Sequence, residues 1–155
     1  MTTHKTEPTM EKPAFPEKNT GSAFADVKAG HIGILTFEYD AIVKWYRENL
    51  DFRLVREWTN DGLNMQLAFL APPDDNSFVI EIFGYNQAET AGNAQPKPGY
   101  NHICFDVANL DRTMAELHKR NINIVRSFSI PAIGRRVAFI ADPWGNTIEF
   151  SEDIS

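Results

Sequence analysis

Apolar positions run through this chain in two rhythms, one with a period of two and one with helical spacing, and the order of the rhythms repeats once. The segment GHIGILT predicts a strand over about 30–36, followed by Asp40 as the N-cap of a helix over about 41–50. In that helix Ile42, Trp45, Tyr46 and Leu50 fall on one face. Strand-like runs come next at about 53–59, 63–70 and 77–83. A stretch rich in Gly, Pro, Asn and Gln separates them from another strand at about 101–107. Leu110, Met114 and Leu117 then mark one face of a helix over about 110–120, and short strands follow at about 123–127, 135–140 and 146–151. The fold class is therefore α+β, with two tandem βαβββ modules at about 28–84 and 101–152 and a linker at about 85–100.

An offset of 71 residues lays His31 on His102 and Asp40 on Asp111, with Val43 on Met114 and Tyr46 on Leu117. Few residues are shared, so the repeat rests on element order and a few anchors. Residues 1–25, with Pro8, Pro13 and Pro16 among Thr, Glu and Lys, read as a flexible tail, because such a composition buries too little to offset the entropy of ordering. Residues 26–155 form the single folded unit. At 155 residues there is room for one core shared between small repeats. The net charge of −6 and the lack of a basic stripe argue against nucleic acid and anionic membrane partners. No apolar run approaches the ~20 residues of a membrane-spanning helix. One cysteine allows no internal disulfide, and the N-terminus shows no apolar signal core, so a cytoplasmic location is expected.

Strand parity then picks out four residues. Ile32 and Ile34 share one face of the first strand, and His31 lies on the other with Gly33 and Leu35. By the same rule Glu81 lies opposite Phe78, Ile80 and Ile82. His102 lies opposite Ile103, Phe105 and Val107, on the side of Cys104 and Asp106, and Glu149 lies opposite Ile148 and Phe150. Each module thus offers one His from its first strand and one Glu from its last. A lone strand His or Glu is ordinarily a hydrogen-bonded or solvated residue, and it is the joint match of face, position and order that sets these four apart. A carboxylate buried mid-strand needs a partner. Two imidazoles and two carboxylates suit a divalent first-row ion and leave two octahedral positions for oxygen ligands. His4 in the tail and His118 beside Lys119 and Arg120 read as solvated, and Cys104 as a small buried thiol.

At these residues the chain resembles the vicinal oxygen chelate superfamily, which includes glyoxalase I, methylmalonyl-CoA epimerase, fosfomycin-resistance enzymes, extradiol dioxygenases and bleomycin-resistance proteins. The resemblance spans roughly 28–152. HIGI, WYRENLDF, VIEIFGY and NHICFDV carry it, and DPWGNTIEF, similar to the family's "DP.GN..E" ending, is the most specific segment. It implies two modules whose curved mixed sheets pair around a metal cleft, and a homodimer. His31, Glu81, His102 and Glu149 match the ligand order of the glyoxalase I branch. Two features depart from the pattern: Leu35 and Tyr85 stand where bacterial glyoxalase I carries glutathione-contacting Arg and Asn, and Asp51 replaces the Gly of "LGF", a left-handed turn position.

What the resemblance implies is a lyase or isomerase that uses one divalent ion, from among Ni, Zn, Co, Mn and Fe. It would move a proton next to a carbonyl of a small oxygenated substrate. Glu149 is the expected base and Glu81 the other candidate, with Arg135 and Arg136 as candidate contacts for an anionic substrate. Two alternatives share the scaffold: Fe(II)- or Mn(II)-dependent dioxygenase chemistry, and non-catalytic binding of a small molecule as in resistance proteins.

Overall fold

The computed structural model describes residues 14–85, 97–141, 143 and 145–154. Most of the tail expected over 1–25 (residues 1–13) and most of the linker (86–96) lie outside the described residues. Strand β1 (Lys28–Thr36), helix α1 (Tyr39–Asn49) and strands β2 (Arg53–Asn60), β3 (Met65–Ala71) and β4 (Val79–Tyr85) make the first module. Strand β5 (Gly99–Asp106), helix α2 (Leu110–Lys119) and strands β6 (Arg126–Ile130), β7 (Arg135–Ala141) and β8 (Thr147–Asp153) make the second. All eight strands join one mixed sheet in the order β2-β3-β4-β1-β5-β8-β7-β6. The modules meet where β1 pairs antiparallel with β5, and inside each module the first and last strands run parallel. The sheet curls until its outer edges approach each other: Arg56 on β2 donates to the carbonyl of Ala132, in the turn after β6.

The repeat extends to turn chemistry. Both helices end at a non-glycine residue in left-handed conformation, Asp51 (φ 54°) and Asn121 (φ 59°). Asp and Asn tolerate that region best because their short polar side chains bond locally. Each module also turns from its second to its third strand through a single 3-10 turn, Asp61–Leu63 or Pro131–Ile133, closed by a left-handed Asn64 or Gly134.

Each helix packs on one side of the sheet over its own core. Val43 of α1 is buried against Ile34, Ala68, Leu70 and Ile82 of the sheet, and Leu110 and Leu117 of α2 against Ala138, Ile140 and Phe150. A fully buried side chain such as Leu70, Ile82 or Leu110 contributes about 1.5–3 kcal/mol. Two details of the first helix differ from the sequence expectation. It begins two residues earlier, at Tyr39, with Glu38 as cap and Asp40 inside the first turn, where its charge still favours the positive helix end. Its inward stripe is Tyr39, Ile42, Val43 and Tyr46, spaced i, i+3, i+4, i+7, which leaves Trp45 52% and Leu50 45% exposed. In the second module β6 starts at Arg126 rather than near 123, because Ile122 and Ile124 turn inward to the α2 core first. Phe24 and Val27 also pack against that core, with the Arg120 guanidinium over the Phe24 ring at 4.7 Å.

Candidate metal centre

The face of the sheet away from the helices holds His31, Glu81, His102 and Glu149, all buried. One ligand atom from each lies within 4.8 Å of the others. His31 Nε2 is 2.9 Å from Glu81 Oε2, and His102 Nε2 is 3.0 Å from Glu149 Oε2. The crossed distances, His31 to Glu149 and His102 to Glu81, are both 3.8 Å. The two Nε2 atoms face each other at 3.0 Å.

Strand register explains the convergence. Neighbouring strands place Arg56, Phe69, Glu81, Gly33 and His102 in one row across the sheet. A second row runs Arg126, Phe139, Glu149, Cys104 and His31. The rows are the same sequence of types, Arg, Phe, Glu, small residue, His, written once by each module and closed by the histidine of the other. The small residues let an imidazole lie over the sheet floor. A Cβ on Gly33 would stand 2.6 Å from His102 Nδ1, closer than any real contact. Phe69, Phe83 and Phe139 wall the rings, with centroids 5.8 Å from His31 and 5.5 and 5.8 Å from His102 respectively.

The donor set fits a cation. His102 Nδ1 is 2.9 Å from Asn101 Oδ1, an acceptor, so the ring proton sits there and Nε2 turns a lone pair to the cluster. Two facing imidazole nitrogens can share only one proton between them, and two buried carboxylates add negative charge at the same point. Burial by itself would lower the pKa of His31; the hydrogen bond and charge of Glu81, with the charges of Glu149 and Asp106, outweigh it and raise the pKa. Cys104 is held as a thiol well above its usual range, first by burial and then by Glu149, Asp106 and Glu81.

The two arginines singled out by sequence are placed differently. Arg136 bonds Asp111 on α2 and lies 3.8 Å from Glu152, which turns it toward the helix side. Arg135 pairs with Asp106 at 3.3 Å. Neither touches the four-residue group. Sequence reasoning passed over Gly33, Asn101 and the terminal arginines of the two rows, Arg56 and Arg126. The parity shared by Arg56 with Trp58 and by Arg126 with Phe128 was the available signal.

Two βαβββ modules paired through their first strands, with a His, Glu, His, Glu group on the curved face, define a vicinal oxygen chelate protein. The chain belongs to the Glyoxalase/Bleomycin resistance protein/Dioxygenase superfamily, whose sequence model matches residues 28–150. It is 29% identical over 126 residues to a lactoylglutathione lyase of Haemophilus influenzae, covering 81% of this chain and 92% of that one. A lactoylglutathione lyase of Schizosaccharomyces pombe is 26% identical over 140 residues; the match takes in 79% of this chain but only 46% of the yeast protein. Among solved structures, methylmalonyl-CoA epimerase from Mycobacterium tuberculosis has the same fold, with a TM-score of 0.68 at 24% identity over 82% of this chain and 88% of that one.

Proposed function

We propose that this protein is a divalent-metal-dependent lyase or isomerase of the glyoxalase type, acting on a small oxygenated substrate. The observation that carries the reading is the convergence of four buried donors from two His and two Glu within 4.8 Å, with no lysine or arginine in the group to balance its charge. His31, Glu81, His102 and Glu149 would hold the ion, which supplies Lewis-acid stabilisation for the charge that develops on a substrate oxygen. Asn101 fixes the His102 ring for that task. Glu149, or its counterpart Glu81, takes the proton next to the carbonyl and returns it to the neighbouring position, so the residue ends the cycle in its starting state. Phe69, Phe83 and Phe139 pack against the two imidazoles and hold the rings in place. Because a single chain provides all four donors, a homodimer would not be needed to complete the group.

The test is direct. Elemental analysis of the protein as isolated should find about one divalent first-row ion per chain. The metal-loaded protein, incubated in D2O with α-hydroxyketones, thiohemiacetals and acyl thioesters, should exchange deuterium into the carbon next to the carbonyl of its substrate class. Oxygen uptake without such exchange would instead identify the dioxygenase alternative. Failure to take up Ni, Co, Zn, Mn or Fe, read as no gain in thermal stability, would leave a binding protein.

A further inference from the structure

The two rows end in arginines of different fates. Arg56 is committed, donating to the Ala132 carbonyl and tying the sheet edges together. Arg126 lies over the Phe139 ring, its Cζ 4.3 Å from the centroid, and 5.8 Å from the Phe128 ring, which stacks on Phe139. Among the described residues no carboxylate pairs with it, unlike Arg135 with Asp106 and Arg136 with Asp111. Phe139 in turn touches His102, so the guanidinium stands one ring away from the His/Glu group and on the same face of the sheet.

A guanidinium resting on an aromatic face keeps its in-plane N–H donors open, and its planar fork matches a carboxylate. Building on the metal-centre reading above, we infer that Arg126 is a specificity residue that binds the anionic end of an organic acid. The body of the acid lies along Phe128 and Phe139, and its oxygen pair reaches the His31, Glu81, His102 and Glu149 group. Phe128, 44% exposed, belongs to this subsite and forms its outer lip. The substrate class is thus an organic anion with an apolar or ring-shaped body, and a neutral carbonyl compound would lack the contact that orients it.

Two probes isolate this contact: benzohydroxamate, a neutral oxygen chelator, and para-carboxybenzohydroxamate, the same chelator with a distal carboxylate. On cobalt-loaded wild-type protein, calorimetry should show the carboxylated probe binding about tenfold or more tighter, as a charge-assisted hydrogen bond to Arg warrants. Arg126→Gln should abolish that preference and leave the neutral probe's Kd unchanged. Arg126→Lys should retain part of it, and Arg136→Gln all of it. A preference that survives Arg126→Gln, or none in the wild type, overturns the inference. A metal-free arm separates it from the metal reading: NMR titration with benzoate should shift resonances around Arg126 and Phe139 in wild type and not in Arg126→Gln. Cobalt uptake without that benzoate response refutes the Arg126 subsite alone. The benzoate response without cobalt uptake supports the subsite and refutes the metal centre.

Discussion

Gly33 faces His102 across the β1–β5 pairing with so little room that a Cβ on the glycine would come 2.6 Å from the ring's Nδ1 and 3.0 Å from Phe83. The glycine is what allows an imidazole to lie flat over the sheet floor. Gly33→Ala should therefore push the His102 ring off Asn101 and out of line with Glu149. We expect metal affinity to fall about ten- to hundredfold, the usual scale for disturbing a ligand's support. The stability cost should be about 1–3 kcal/mol, typical of overpacking. Metal titration by calorimetry and denaturant melts of the apoprotein check the two effects separately, and unaltered affinity would show that the ring accommodates the methyl.

His102→Ala and Glu149→Gln should part company. His102→Ala takes away one of the four ligand atoms, so metal content should drop sharply. Glu149→Gln keeps a ligand-capable oxygen, so it should hold more metal than His102→Ala, yet lose deuterium exchange if Glu149 is the base. Elemental analysis and the D2O assay on the same preparations distinguish these outcomes. Full exchange in Glu149→Gln would move the proton-transfer role to Glu81.

That His31, Glu81, His102 and Glu149 share one face was legible in the sequence because a strand's parity is strict: once Ile80 and Ile82 are assigned to the core, Glu81 must face the other way. The turn at Asp51 was legible for a similar local reason, a known left-handed position filled by a residue that tolerates it. Gly33, Asn101 and Arg126 were not, since their importance comes from residues on neighbouring strands whose register the sequence does not state. Trp45 misled because it stands three places after Ile42, at helical spacing, whereas the inward stripe runs through Tyr39, Ile42, Val43 and Tyr46. Arg135 and Arg136 are neighbours in sequence, but one step along a strand sends their side chains to opposite sides, each to a carboxylate.

Tyr39 gives a pH prediction with a definite sign. Its hydroxyl donates to Glu57 Oε1 at 2.8 Å and lies 3.2 Å from the Leu67 carbonyl, and Gly84 makes room for its ring. Burial, then the Glu57 hydrogen bond and the charges of Glu57 and Asp40, raise its pKa above the ordinary tyrosine value. A raised pKa in the folded state means the contribution is fully present below about pH 10 and is lost as pH rises through the folded value. Denaturant midpoints should thus decline above about pH 10, and in Tyr39→Phe the decline should be shallower. Equal slopes would assign the alkaline loss to other groups.

The last prediction concerns glutathione. Two relatives are lactoylglutathione lyases, which makes the hemithioacetal of methylglyoxal and glutathione the obvious first substrate to try. The residues argue the other way. Leu35, four places after His31, is buried and aliphatic, and Tyr85, four places after Glu81, ends β4 half-buried. Neither offers the cation or the amide that the resemblance places there to hold the tripeptide. Without those contacts the binding energy of the remote glutathione portion cannot be used to orient the reacting carbons, and losses of that kind fall on kcat as well as KM. With metal bound, the steady-state kcat/KM for the hemithioacetal should lie below about 10⁴ M⁻¹s⁻¹, the lower end of the usual enzymatic range. Leu35→Arg should raise it. A wild-type value well above that limit would show that glutathione is held by other residues of the cleft and would place the chain with the lyases it resembles.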